Sequence, residues 1–291
     1  MEITASLVKK LRDSSGVGMM DAKKALVENN GDMEASIDWL RKKGISKAEK
    51  KSGRTAAEGL VSYKKVSEIA VLVEINSETD FVAKNTDFQK MADSITTNAI
   101  NCKNINDLLE SNIDGKNVND FVSDHIAKIG ENINVRRFNL IRGKNIVSYI
   151  HNAVNHSMGK IGVILSYEGG NEETAKKIAM HIAAAKPLSL SENDLDNEVI
   201  EREKSIFFEQ AKQSGKPENV IENIVSGKIK KFFQEVVLLK QKFVMDPDNS
   251  VEEILSNSSM KINEFVRLEV GEGIDKEIEN FADEVKKTVK G

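Results

Sequence analysis

The sequence predicts an α+β protein with antiparallel sheets and more than one folding unit. Three observations carry that expectation. Residues 1–44 space their apolar side chains only at helical intervals. Two later blocks each hold three short alternating segments, and amphipathic helices fall between and after those segments. A chain of 291 residues suits two or more such units.

In the first helix Thr4 is the cap, Leu7, Val8 and Leu11 form the stripe, and SSGVG is the stop. Met20 to Asn29 repeats the pattern with Ala22, Ala25 and Leu26 before Asn30-Gly31. Asp32 opens a third helix through Ala35, Ile37, Trp39 and Leu40, with Gly44 as its expected end. Helices this short bury little surface, so the unit is marginal alone. ISKAEKKSGRTAAEG follows without an apolar period and reads as a basic linker.

The first block predicts strands at Gly59–Lys65, Glu68–Asn76 and Asn132–Ile141; Ile69, Val71, Val73 and Ile75 alternate with their neighbours. Between the second and third strands, Phe88, Met91, Ala92, Ile95 and Ala99 mark a helix, with Thr86 and Gln89 as its expected capping box. Another amphipathic helix runs from Val118 to Gly130 through Phe121, Val122, His125, Ile126 and Ile129. The second block predicts strands at Asn145–Ile150, Lys160–Tyr167 and Met260–Val270, and a helix Glu172–Ala185 that Pro187 stops. Its insertion carries two stripes, Val199, Ile200, Ile206, Phe207, Ala211 and Ile221, Ile224, Val225, Ile229, Phe232, Val236. QSGKP joins them, so an antiparallel helical hairpin is expected. A last helix presents Ile278, Phe281, Ala282, Val285 and Val289.

Composition narrows the function. No run approaches the roughly 18 apolar residues of a membrane span, and the first residues lack the build of a signal peptide. The single cysteine, Cys102, suits a reducing cytosol, so a soluble cytoplasmic protein is expected. A net charge of −4 argues against a general nucleic-acid binder. There is no G-x-x-x-x-G-K-[ST] loop, and GVGMMD holds only two glycines of a dinucleotide fingerprint, so neither a bound nucleotide nor another cofactor is expected. His125, His151, His156 and His181 and the lone cysteine assemble no metal set. His125 and His181 read as packing histidines, and no catalytic residue is assigned.

Two features invite a binding role. Thr79-Asp80-Phe81-Val82 places an aromatic in a turn between a strand and a helix. Phe81 there is either a plug for the sheet's end, with Asp80 bonding turn amides, or an exposed anchor for a partner. Met19-Met20, before a helix, is either core filler or a contact surface. Three competing functions stay open on these grounds. They are a non-catalytic adaptor working through the helical head, a metal-dependent hydrolase built on carboxylates, and an RNA binder using Lys47, Lys50, Lys51 and Arg54.

Taken in order, GMMDAKKAL, TDFVAKN, KIGENINVRR, AMHIAAAKP, QSGKP, FVMDP and RLEVGEGI resemble the elongation factor Ts family along essentially the whole chain. The resemblance implies a ubiquitin-associated-like three-helix domain at 1–45, a linker at 46–57 and a core N-subdomain at 58–142. It further implies a core C-subdomain at 143–187 and 234–271, a coiled-coil-like insertion at 188–233 and a C-terminal helical module at 272–291. It implies a guanine-nucleotide exchange factor rather than an enzyme, with elongation factor Tu as partner. Thr79, Asp80, Phe81 and Val82 would displace the elements that hold the partner's magnesium. Arg12, Met19, Met20, Ile129, Gly130, His151, Val244 and Met245 would supply further contacts. HNAVNHSMGKIGV is longer than the HGGRIGV or HGARIGV turn of many relatives, so either His151 or His156 fills the family's histidine position. The helical hairpin leaves open a homodimer, a contact with the partner, or neither.

Overall fold

The structure, a computed structural model, describes residues 3–15, 17–213, 215 and 217–275, without the side chains of 13 and 44–50. It is α+β, as expected, and divides into two units. The expected C-terminal helix through Ile278 to Val289 lies outside the described residues, as do Ser214 and Lys216 of the QSGKP joint.

The first unit comprises the chain up to Ser62, Val73–Phe138 and the stretch from Glu269. It opens with three helices, α1 (Ala5–Ser15), α2 (Met19–Glu28) and α3 (Met33–Lys51). Thr4 Oγ1 accepts from Leu7 N–H at 3.2 Å and Asp32 Oδ1 from Ala35 N–H at 2.9 Å, so both expected caps form. Gly31, at φ 84°, returns its N–H to Leu26 O and ends α2. Val8, Leu11, Ala22, Ala25, Leu26 and Leu40 form the small core, with Trp39 at its margin. Ile37, expected in that core, is exposed, and Ser36 is buried instead, its hydroxyl bonded to Ala25 O. The expected stop at Gly44 does not occur. Lys, Ala and Glu are strong helix formers, and a glycine costs only about 1 kcal/mol, so the run SKAEKK carries α3 to Lys51.

Strands β1 (Glu58–Val66) and β2 (Ile69–Ser77) follow, then the single-turn helix α4 (Asp80–Ala83) and α5 (Thr86–Ala99). The cap of α5 is Asn85, not Thr86. Asn85 Oδ1 accepts from Asp87 N–H at 2.8 Å and Phe88 N–H at 3.3 Å, which leaves Thr86 as the first helical residue. Helix α6 (Ile105–Glu110), the short ladder β3 (Asn112–Ile113) with β4 (Lys116–Asn117), helix α7 (Val118–Ile129) and strand β5 (Ile133–Arg142) complete this stretch. The unit's strands run in the order β1-β2-β5, and α7 packs against both α3 and α5.

The second unit holds Tyr63–Leu72 and Asn139–Leu268. Its strands β6 (Asn145–Asn155), β7 (Met158–Gly169) and β10 (Met260–Glu269) flank helix α8 (Glu172–Ala185), which packs on β6 and β7. Strand order here is β10-β7-β1, with β6 also antiparallel to β7. Val163, Leu165, Ile178, Ile182, Leu255 and Ile262 belong to its core. The insertion is a pair of packed helices, α9 (Asn197–Lys212) and α10 (Glu218–Val236), with Ala211, Ile221 and Ile229 buried. A small hairpin, β8 (Lys242–Phe243) and β9 (Asp246–Ser250), leads into α11 (Val251–Asn257), which Ser250 and Glu253 open as a capping box. Among the described residues no helix is long and apolar enough to cross a membrane.

Candidate functional site at the Thr79–Val82 turn

Strand β2 ends at Ser77, and within three residues the chain is helical again. Helix α4 is only one turn, too short to hold itself by its own hydrogen bonds. Its lower side is anchored by Val82 and Ala83, both buried, and its end is tied by Asn85 N–H to Val82 O at 2.9 Å. The upper side carries Phe81, which is 77% exposed. The plug reading is thereby excluded: the ring lies outside the core, although its burial would gain about 2 kcal/mol. Asp80 Oδ2 accepts from Lys84 Nζ at 2.7 Å, and that ammonium sits 5.7 Å from the centre of the Phe81 ring. The exposed pair contributes about 0.4 kcal/mol and trims the rotamers open to all three side chains.

The start of the turn is braced from α7. Gly130, in the left-handed region at φ 90°, caps that helix and reverses the chain. The next residue, Glu131, accepts from Thr79 N–H at 2.9 Å and Thr79 Oγ–H at 2.6 Å. Glu78 accepts from Asn132 N–H at 2.5 Å and pairs with Arg54 at 3.4 Å. Ile129 and Gly130, both half-buried, are thus brought beside the Thr79–Val82 turn. Lys51 Nζ donates to Gly130 O, and Asn132 Nδ2 donates to Arg54 O at 2.7 Å. Residues read from sequence as a tether therefore hold the turn that supports Thr79.

Arg12 lies exposed on α1, and Met19 and Met20 form the first turn of α2, 45% and 78% exposed. They are therefore helical residues, not part of a preceding turn, and neither fills the core. His125 packs within α7, its Nδ1 2.8 Å from Phe121 O. A cleft of about 300 Å³ beside the α3–α7 contact is lined by Ser14, Ile37, Arg41, Asp124 and His125.

In the second unit, His151 was expected in a hairpin loop. It is instead within β6, opposite Ile161, because pairing with β7 continues to Asn155 and leaves only His156-Ser157 as the turn. His151 is exposed and its Nδ1 is 3.1 Å from Tyr149 Oη. Val244 and Met245 form the tip of the β8–β9 hairpin, 54% and 43% exposed. Val244 N–H donates to His181 Nδ1 at 3.2 Å, and His181 Nε2–H donates to Gln241 Oε1 at 2.9 Å. Gln241 is satisfied in turn by donating to Ala185 O and Glu235 O. Both ring nitrogens of His181 are used by its neutral form, and burial pushes its pKa below the ordinary value of 6.5.

One charged site escaped the sequence reading. Glu74, fully buried in β2, pairs with Arg136 at 3.2 Å and with Arg137, and accepts from Gly271 N–H at 2.8 Å. Arg137 Nη2 also donates to Glu269 O at 2.7 Å. NVRR and VGEG thus meet on one carboxylate, whose charge is compensated and fully hydrogen-bonded. Among the described residues no group of His, Cys, Asp or Glu is placed to hold a metal ion.

The family described as Elongation factor TS matches residues 78–272, a span that contains the Thr79–Val82 turn, the Glu74 partners Arg136, Arg137 and Gly271, and the His181 hub. Similar curated proteins include Elongation factor Ts of Roseobacter denitrificans, 56% identical over 291 residues and covering the whole of both chains. Those of Jannaschia sp. and Paracoccus denitrificans, 52% and 53% identical, likewise match over the full length of both chains. The chain belongs to the elongation factor Ts family.

Proposed function

We propose that this protein binds elongation factor Tu in its GDP-bound state and accelerates release of the nucleotide, working in the cytoplasm as a binding protein that breaks no bond. The observation that carries the reading is the exposed Phe81 on a turn braced from both sides. A rigid aromatic brings large contact area at low rotamer cost, which suits insertion into a partner. Thr79, Asp80, Phe81 and Val82 enter the GTP-binding domain near the nucleotide's magnesium. Arg12, Met19 and Met20 dock the helical head, Ile129 and Gly130 flank the insertion, and His151, Val244 and Met245 meet the partner elsewhere. Magnesium requires near-ideal octahedral geometry, so a small displacement of the elements that support it weakens nucleotide binding.

Linkage sets the cycle. If the factor weakens GDP binding, GDP weakens the factor's binding by the same ratio. GDP leaves the ternary complex, and GTP then enters and expels the factor. The test is release of a fluorescent GDP analogue from elongation factor Tu, chased with unlabelled nucleotide, with and without this protein. Acceleration that saturates, together with GDP-dependent loss of factor binding, is expected. Release at the intrinsic rate would refute exchange and leave an adaptor role.

A further inference from the structure

The Phe81 turn and the turn after α7 hold each other by exchanging carboxylates. Glu131 takes both the amide and the hydroxyl of Thr79, and Glu78, the residue before Thr79, takes the amide of Asn132. Thr79 is the N-cap of α4, and an N-cap threonine ordinarily uses its oxygen to accept from an amide of the first turn. Here it makes no such bond; its hydroxyl donates to Glu131 instead. A one-turn helix has forgone its local cap for a tertiary tie.

That exchange has a geometric consequence. Two bonds from one carboxylate to one residue hold its backbone and its rotamer together. Phe81 follows two residues later on a helix too short to set its own direction, so Thr79 sets where the ring points. We infer that Glu131 is a positioning residue for nucleotide exchange, aiming Phe81 through Thr79. This rests on the proposed insertion of Phe81 into the partner. The contacts are solvent-exposed, and exposed charge-assisted contacts add little to global stability, which separates aiming from folding.

The test is release of a fluorescent GDP analogue from elongation factor Tu, with the factor titrated to saturation. Wild type, Phe81→Ala, Glu131→Ala, Glu131→Gln and the Phe81→Ala/Glu131→Ala double variant are compared, with urea unfolding as a folding control. Glu131→Ala should lower the saturated rate by about fivefold, the scale of one net hydrogen bond, with little change in the half-saturating concentration. Glu131→Gln, whose amide oxygen still accepts from Thr79, should recover most of that loss. In the Phe81→Ala background, Glu131→Ala should cost less than about twofold more, since there is no ring left to aim. A wild-type rate for Glu131→Ala beside an impaired Phe81→Ala would overturn the positioning role and leave the exchange reading intact. Independent, multiplying losses would also overturn it, assigning Glu131 a direct contact. A wild-type rate for Phe81→Ala would overturn the insertion itself and the positioning role with it.

Discussion

The turn at Thr79–Val82 and the turn at Val244–Met245 both present apolar side chains at the tip of a short connection, yet opposite means hold them. The first is braced chiefly by Glu131, whose two bonds to Thr79 are solvent-exposed, with the half-buried Glu78 taking the Asn132 amide beside it. The second is braced from beneath by His181, a buried neutral imidazole whose two nitrogens bridge Val244 and the fully bonded Gln241. An exposed brace orients a side chain without contributing much to the fold. A buried brace is part of the core, so it cannot be removed without unfolding cost. The difference separates variants that misaim a contact from variants that destabilise the protein.

The largest expected effect tests the buried brace. His181→Ala leaves a cavity and strips partners from Gln241 and from Val244 N–H, which should cost about 2–4 kcal/mol in urea unfolding. A loss below about 0.5 kcal/mol would erase the contrast between the two turns. Phe81→Ala comes next and should behave in the opposite way. Stability should stay within about 0.5 kcal/mol because the ring is exposed, while acceleration of GDP release falls by about tenfold or more.

Acidification gives a smaller effect on one side of the comparison. Because burial holds the folded pKa of His181 below 6.5, the unfolded chain binds the proton first. Its contribution is fully present above pH 6.5 and is lost as pH falls through the window from 6.5 down to the folded value. The slope should be a fraction of the roughly 1.4 kcal/mol per pH unit that one fully linked proton gives. Unfolding curves at pH 7.5, 6.5 and 5.5 should show it in the wild type and not in His181→Gln. An equal slope in both would assign the effect to other groups. The smallest expected change is Lys84→Ala, about 0.4 kcal/mol, since its pair with Asp80 is exposed. A salt titration of unfolding would detect it as a lost dependence on ionic strength.

Much of the fold was legible because its signals are local. Ile69 to Ile75 alternate, Asp32 and Thr4 cap, and Pro187 follows Glu172 to Ala185, so those elements lie where the spacing puts them, although β2 is buried on both faces where alternation predicts one. Misreadings arose where local signals compete. Asn85 and Thr86 are adjacent and both good caps, and the structure uses Asn85, leaving Thr86 as the first helical residue. Gly44 signals a stop, but the helix formers after it prevail. HNAVNHS reads as a loop because most of its residues are polar, although strand pairing satisfies its backbone through Asn155.

The candidate site was half legible. An aromatic in a turn could be named, but whether Phe81 faced core or solvent depended on what packed beneath it. The braces left no local trace at all. Glu131 stands 52 residues from Thr79, and Val244 stands 63 from His181, so no spacing reports either bond. Glu74 shows the same limit, since its partners Arg136, Arg137 and Gly271 come near it only in the folded chain.

The most direct test of the central claim measures release of a fluorescent GDP analogue from elongation factor Tu at saturating wild-type factor and at saturating Phe81→Ala. Strong acceleration by the wild type, lost by about tenfold or more in a variant that unfolds at the same urea concentration, is the expected result. Undiminished acceleration by the variant would contradict insertion of Phe81 as the step that loosens the nucleotide.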